Sequence, residues 1–281
     1  MKKLSTRQKK YIPTFWECSL RNWAATESDI EELITVIRSC GKVAKLTRTP
    51  LLLNMLIELP KESRKQCYHS WANFIETLIG PIINRQADND ITPRQKMMAL
   101  EKIAAVFYQH DQIPPAIISD IEVNEAIQDT LKEYHKNEAY QDMLLEELTA
   151  NSKFLVAVDD GAYYAFVNKY FQKYFAARYF LDREKELLNN YRKYPEPYSG
   201  VLRLWVGISE SPDDLITDVS EIDPLLCLTL LADVQSPPKD LLESTLKSVE
   251  NKIDSFTLPD AHAGIKQIDE YFSNSTIKFF D

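Results

Sequence analysis

The sequence predicts a mainly α protein with one β-hairpin, and three observations predict it. Apolar residues recur at helical spacing through most of the 281 residues, often behind a capping residue or a first-turn proline. One stretch, 154–167, departs from that period, with β-branched and aromatic runs on either side of Asp159-Asp160-Gly161, where Asp-Gly favours a tight hairpin turn. The glycines number six: Gly41, Gly80, Gly161, Gly200, Gly207 and Gly264. No pair has P-loop spacing and none forms a GxG, so neither a P-loop nor a Rossmann fingerprint is present. A composition of 44% hydrophobic and 27% charged residues excludes wholesale disorder.

Ser28 followed by Glu31 has capping-box spacing, and Ile30, Leu33, Ile34 and Ile37 supply the stripe of a helix to about Ser39. Thr49-Pro50 opens a second helix, apolar nearly all round from Leu51 to Ile57 and therefore buried. A third runs from about Ser63 to Ile79 and stops at Gly80-Pro81. The polar run Arg85 to Asp90 marks the end of a helical domain, 1–90. Thr92-Pro93-Arg94-Gln95 combines cap, first-turn proline and capping-box glutamine at the head of the next helix. Helices at 120–135 and 138–151, the hairpin, and a helix from Tyr170 to about Lys185 follow. That order predicts a winged-helix domain over 91–184, with the hairpin as its wing. After Pro195 and Pro197, helical segments near 199–209, 211–219, 223–234 and 238–250 predict a short α-solenoid-like helical array over 185–281.

The net charge of -9 is unevenly spread, because residues 210–281 hold 15 acidic against 5 basic residues. The array is thus expected to meet a basic protein partner. Lys169, Lys173, Arg178 and Arg183 would suit a DNA-facing helix, yet 93–183 carries 14 acidic against 10 basic residues, which argues against nucleic acid. Cys18, Cys40, Cys67 and Cys227 form no CxxC, and His69, His110, His135 and His262 form no HExxH, so no metal site and no cofactor are expected. Gly207-Ile208-Ser209-Glu210-Ser211 lacks the second glycine of a nucleophile elbow. A hydrolase using Asp213, Asp214, Asp218 and Glu221 rests on clustered carboxylates alone, and no enzyme is expected. No stretch reaches transmembrane length and the N-terminus lacks a signal-peptide core, so the expectation is a cytoplasmic protein without membrane contact.

Two stretches carry a resemblance. Thr49-Pro50-Leu51-Leu52-Leu53-Asn54-Met55-Leu56 resembles the "NPLLL" helix, and Tyr164 to Tyr179 the winged-helix signature YxFxHxxFQEYFAAxY, of NACHT-type signal-transduction NTPases. Phe15 to Trp23, Leu202 to Gly207 and Asp223 to Leu226 are similar to further segments of that family, so the resemblance spans most of 11–235. It implies a chain beginning after the ATPase core: helical domain, winged helix and the start of a superhelical sensor. It also implies a site, in which Pro50 packs on the adenine and Asn168, at the family's histidine position, meets a phosphate. Asn168 donates a hydrogen bond without the charge of a protonated histidine, and Lys173 replaces the family's glutamate. The implied function is a regulatory and interaction module for signalling or antiviral defence, either a split-protein subunit working with a separately encoded NACHT ATPase core or a truncated remnant of such a protein. The alternative is a winged-helix nucleic-acid-binding regulator with a helical dimerisation region.

Overall fold

The computed structural model describes residues 33, 34, 37, 49–64, 70–85, 90–109, 114–234 and 237–255. The protein is mainly helical, and it divides into two compact units, Met1–Arg64 and Lys65–Asp281. The polar run at 85–90 lies within the second unit. Predicted features at Phe15–Trp23, Ser28–Glu31 and beyond Ser255 lie outside the described residues. No helix among the described residues is long and apolar enough to cross a membrane.

In the first unit, α1 (Pro50–Glu58) buries Leu52, Leu53, Leu56 and Ile57, as its apolar run requires. Leu59 leaves the helix in extended conformation before Pro60, and α2 (Lys61–Arg64) adds one turn. The buried Arg64 secures this corner, its Nη2 donating to the Ile57 carbonyl at 2.9 Å.

The second unit opens with α3 (Trp71–Ile83), capped by Ser70, whose hydroxyl accepts from the Asn73 amide. This corrects the predicted third helix at both ends. Ser70 is extended, which interrupts any helix continuing from Ser63, and α3 runs through Gly80-Pro81 for a further turn. Pro81 is exposed while Ile79 and Ile83 are buried, so burial of one more apolar turn outweighs the missing proline N–H. α4 (Pro93–Gln109) begins with the reciprocal capping box read from the sequence: the Thr92 amide donates to Gln95 Oε1 at 2.8 Å, and the Gln95 amide to Thr92 Oγ1 at 3.3 Å.

A two-residue strand β1 (Ile118–Ser119), α5 (Asp120–Glu133) and α6 (Ala139–Glu146) follow, α6 running into a π-helical turn at Glu147–Asn151. The hairpin is β2 (Leu155–Val158) and β3 (Tyr163–Phe166), and β1 pairs with β3, giving a three-stranded antiparallel sheet of order β1-β3-β2. Val158 opposes Tyr163, so the turn is a four-residue loop rather than a two-residue one. Its residues Asp159, Asp160 and Gly161 all have positive φ, which Asp and Gly tolerate.

The predicted helix from Tyr170 to Lys185 is two helices, α7 (Lys169–Tyr179) and α8 (Glu184–Lys193). The break at 180–183 lets the Phe180 carbonyl accept from the buried Trp205 Nε1 at 3.0 Å. Pro195 opens α9 (Pro195–Ile208) rather than ending structure there, since proline suits a first turn. α10 (Asp213–Ile222), α11 (Pro224–Leu231) and α12 (Lys239–Ser255) complete the described chain. α7 packs on α4 and α9, and α3 packs on α9. Gly207 permits that last approach, because a Cβ there would stand 2.8 Å from the Ala72 Cβ. An aromatic cluster of Phe107, Phe154, Phe166, Phe171 and Phe175 fills the junction of sheet, α4 and α7.

Candidate functional site

Pro50 is the first residue of α1 and is exposed, with the buried face of that helix formed by the leucines that follow it. It belongs to the first unit. Asn168 belongs to the second, where it is the N-cap of α7: its Oδ1 accepts from the Tyr170 amide at 2.8 Å, and its carbonyl from Phe171 and Gln172. The capping role uses the oxygen and leaves the two Nδ2 hydrogens, which no described residue accepts. A half-buried amide at a helix N-terminus thus presents donors where the macrodipole favours an anion.

The four cations of this segment have separate fates. Lys169 is exposed beside the cap. Arg178 turns inward, its Nε 2.7 Å from Glu101 Oε1. Arg183 lies over the Tyr179 ring at 4.2 Å and donates to the Tyr179 carbonyl. Lys173 lies against α9, its Nζ 2.7 Å from where a Gly200 Cβ would be. Burial, and then the like charge of Lys169, push the Lys173 ammonium below its ordinary value of 10.5. A continuous cationic stripe is therefore missing from α7.

That depression carries a sign. A cation with a folded pKa below the unfolded one contributes stability above the unfolded value and loses it as pH falls, so at neutral pH Lys173 is a net cost. Lys173→Met keeps the stem and removes the charge. It is expected to raise the melting temperature at pH 7, with the gap to wild type closing above pH 10.5, as paired thermal denaturation curves would read.

Glu101 is also perturbed: burial lifts its carboxyl above the ordinary carboxylate range, and Arg178 offsets only part of this. At the start of α8, Glu184 rises through burial and then through Asp214 and Asp218, so three carboxylates from α8 and α10 do share one surface. Asp213, Asp214, Asp218 and Glu221 are all exposed, and among the described residues no group of three His, Cys, Asp or Glu side chains could hold a metal ion. Burial pushes the Cys227 thiol up to about 11, against the reactivity expected of a nucleophile.

Two buried ion pairs escaped the sequence reading. Lys96 and Glu147 meet at 2.6 Å with side chains 0% and 3% exposed, and Arg203 meets Asp233 at 2.5 Å with 13% and 0%. The available clue was a charge within an apolar stripe: Lys96 precedes Ala99, Leu100 and Ile103 on the buried face of α4.

A scan against protein-family models finds no match, and a search of curated proteins finds none either.

Proposed function

We propose that this chain is a regulatory and interaction module of the NACHT-type kind: a helical segment, a winged helix and the beginning of a helical sensor array. It works with an ATPase core that these residues do not include. The observation that carries the reading is the run from α4 to α7. Helix, short strand, two helices, hairpin and helix, with sheet order β1-β3-β2, support the winged-helix reading, as does an amide side chain at the start of the helix after the hairpin, at the phosphate-facing position of the resembled family. In this reading Asn168 Nδ2 meets a phosphate oxygen with the core in place. The acidic array takes a basic partner protein. The module itself hydrolyses nothing.

The nucleic-acid alternative is disfavoured by the helix that would enter a DNA groove. α6 and its π turn present Glu138, Asp142 and Glu146 outward at four-residue intervals, and no Lys or Arg occurs from 137 to 152. Facing phosphates, that surface repels.

The test is co-expression with the product of the reading frame immediately upstream, followed by affinity purification and nucleotide analysis. A stable complex that retains ADP or ATP, with retention lowered by Asn168→Ala, is the expected result. The absence of a complex, together with duplex DNA binding by the chain alone that weakens steeply with salt, would overturn the reading in favour of a nucleic-acid regulator.

A further inference from the structure

Among the described residues, the three-stranded sheet has an uncovered face. Strand residues alternate in direction, and here Leu155, Ile118 and Tyr164 are buried while Val156, Val158 and Tyr163 are exposed. The β2–β3 register sets Val158 beside Tyr163 on the outer face, and Val167 continues that row, its amide donating to the Phe154 carbonyl. Ile117 and Ile121 flank β1. Of the seven large apolar residues exposed among those described, Ile117, Ile121, Val156, Val158, Tyr163 and Val167 belong to this sheet and its flanks, the seventh being Ile222 on α10. Scattered exposure of this kind is ordinary, but concentration on one sheet face is the mark of an interface.

The charges around the patch name the occupant. Asp159 and Asp160 stand exposed at the hairpin tip, and Lys153 and Lys169 stand exposed at its base, one at each end of the β2–β3 pair. The patch is therefore apolar in the middle, acidic at one end and basic at the other. Such a surface is complementary to itself when a second copy is turned end for end. We propose that two copies of this chain stack these outer sheet faces about a twofold axis running across the strands, so that each tip lies over the other's base. The opposite arrangement, tip over tip, would bring four aspartates together and two pairs of lysines, and is excluded by repulsion.

Stacked sheets lie about 10 Å apart with strands some 30° from alignment, a spacing that Val156, Val158 and Tyr163 fill. The face is small. Two strands of four residues and one of two cover about 160 Å² at ordinary strand spacing and rise, well under the roughly 800 Å² that each partner gives to a standard interface. The dimer is accordingly weak.

Sedimentation velocity of the full chain from about 20 µM to about 1 mM tests this, since a weak interface must show mass action. Wild type is expected to shift from monomer to dimer over that range. Val156→Asp, on an exposed strand position, is expected to stay monomeric with its circular dichroism unchanged. Lys169→Glu, a favourable first-turn residue for α7, is expected to weaken association severalfold. Ile222→Asp, outside the patch, is expected to dimerise like wild type. A wild-type chain that remains monomeric at the highest concentration, leaving the face to a different protein, overturns the proposal. So does a dimer that survives Val156→Asp or is indifferent to Lys169→Glu.

Discussion

Lys96→Met is expected to destabilise the second unit by about 3–5 kcal/mol, because it leaves the Glu147 carboxylate buried without its cation. The environment makes this a large effect. Lys96 is wholly buried on α4, and besides Glu147 its Nζ reaches the Arg85 carbonyl at 2.8 Å. Glu147 opens the π turn, where its second oxygen accepts from Asn151 Nδ2 at 3.0 Å. From there the chain turns directly into the sheet, with the Phe154 amide donating to the Leu148 carbonyl. A charge stranded at this point therefore loosens the entry to β2 as well as the pair itself. The double variant Lys96→Met with Glu147→Leu removes both charges and keeps most of the volume, and it is expected to recover most of the loss, since apolar replacement of a buried pair is often neutral. Urea denaturation at constant m, followed by circular dichroism, reads both arms. Equal loss in the single and double variants would mean that packing, not an unpaired charge, sets the cost.

The contrast between what the sequence disclosed and what it withheld has a physical basis. Capping is local: Thr92 and Gln95 are three residues apart, so the box that starts α4 was legible before any tertiary structure. The hairpin was legible for the same reason, through its β-branched and aromatic runs and Asp-Gly. β1 was not, because two residues are too few to show a period and Ile118-Ser119 becomes a strand only by pairing with Tyr163 and Tyr164. The breaks were misplaced where burial overruled a local stop or start. Pro81 stays in α3 because Ile83 is buried, and the chain leaves α7 at Phe180 because that carbonyl meets Trp205 from α9. Of the candidate site, Pro50 was legible as a helix-start residue and the structure gives it that local role, whereas Asn168 was singled out through the resemblance alone and its capping of α7 was not read from the sequence. The inward turn of Arg178 and the close approach of Lys173 to Gly200 depend on partners 77 and 27 positions away, which no local pattern encodes.

The same long-range logic makes Asp233→Asn the second large perturbation, with an expected cost of about 3 kcal/mol for a cation left without its buried partner. Asp233 follows α11 and is fully buried, yet it serves an element 162 residues earlier: its Oδ1 accepts from the Trp71 amide at 3.5 Å, in the first turn of α3. Its Oδ2 accepts from Arg203 Nε, and the Arg203 guanidinium lies 4.6 Å over the Trp71 ring. One carboxylate thus balances a cation on α9 and the positive end of α3 together. Asparagine preserves the volume and a carbonyl acceptor, so any loss reports charge rather than packing. Hydrogen exchange locates it. The first-turn amides of α3 are expected to exchange faster in Asp233→Asn, along with those around Arg203, while the sheet and α5 keep their protection. Uniform acceleration throughout the second unit would instead describe general weakening. If the loss is local, α3 can be released from α9 and the end of α11 without unfolding the sheet. The proposed function requires such a separable contact, because only an element with two accessible arrangements can be biased by a ligand.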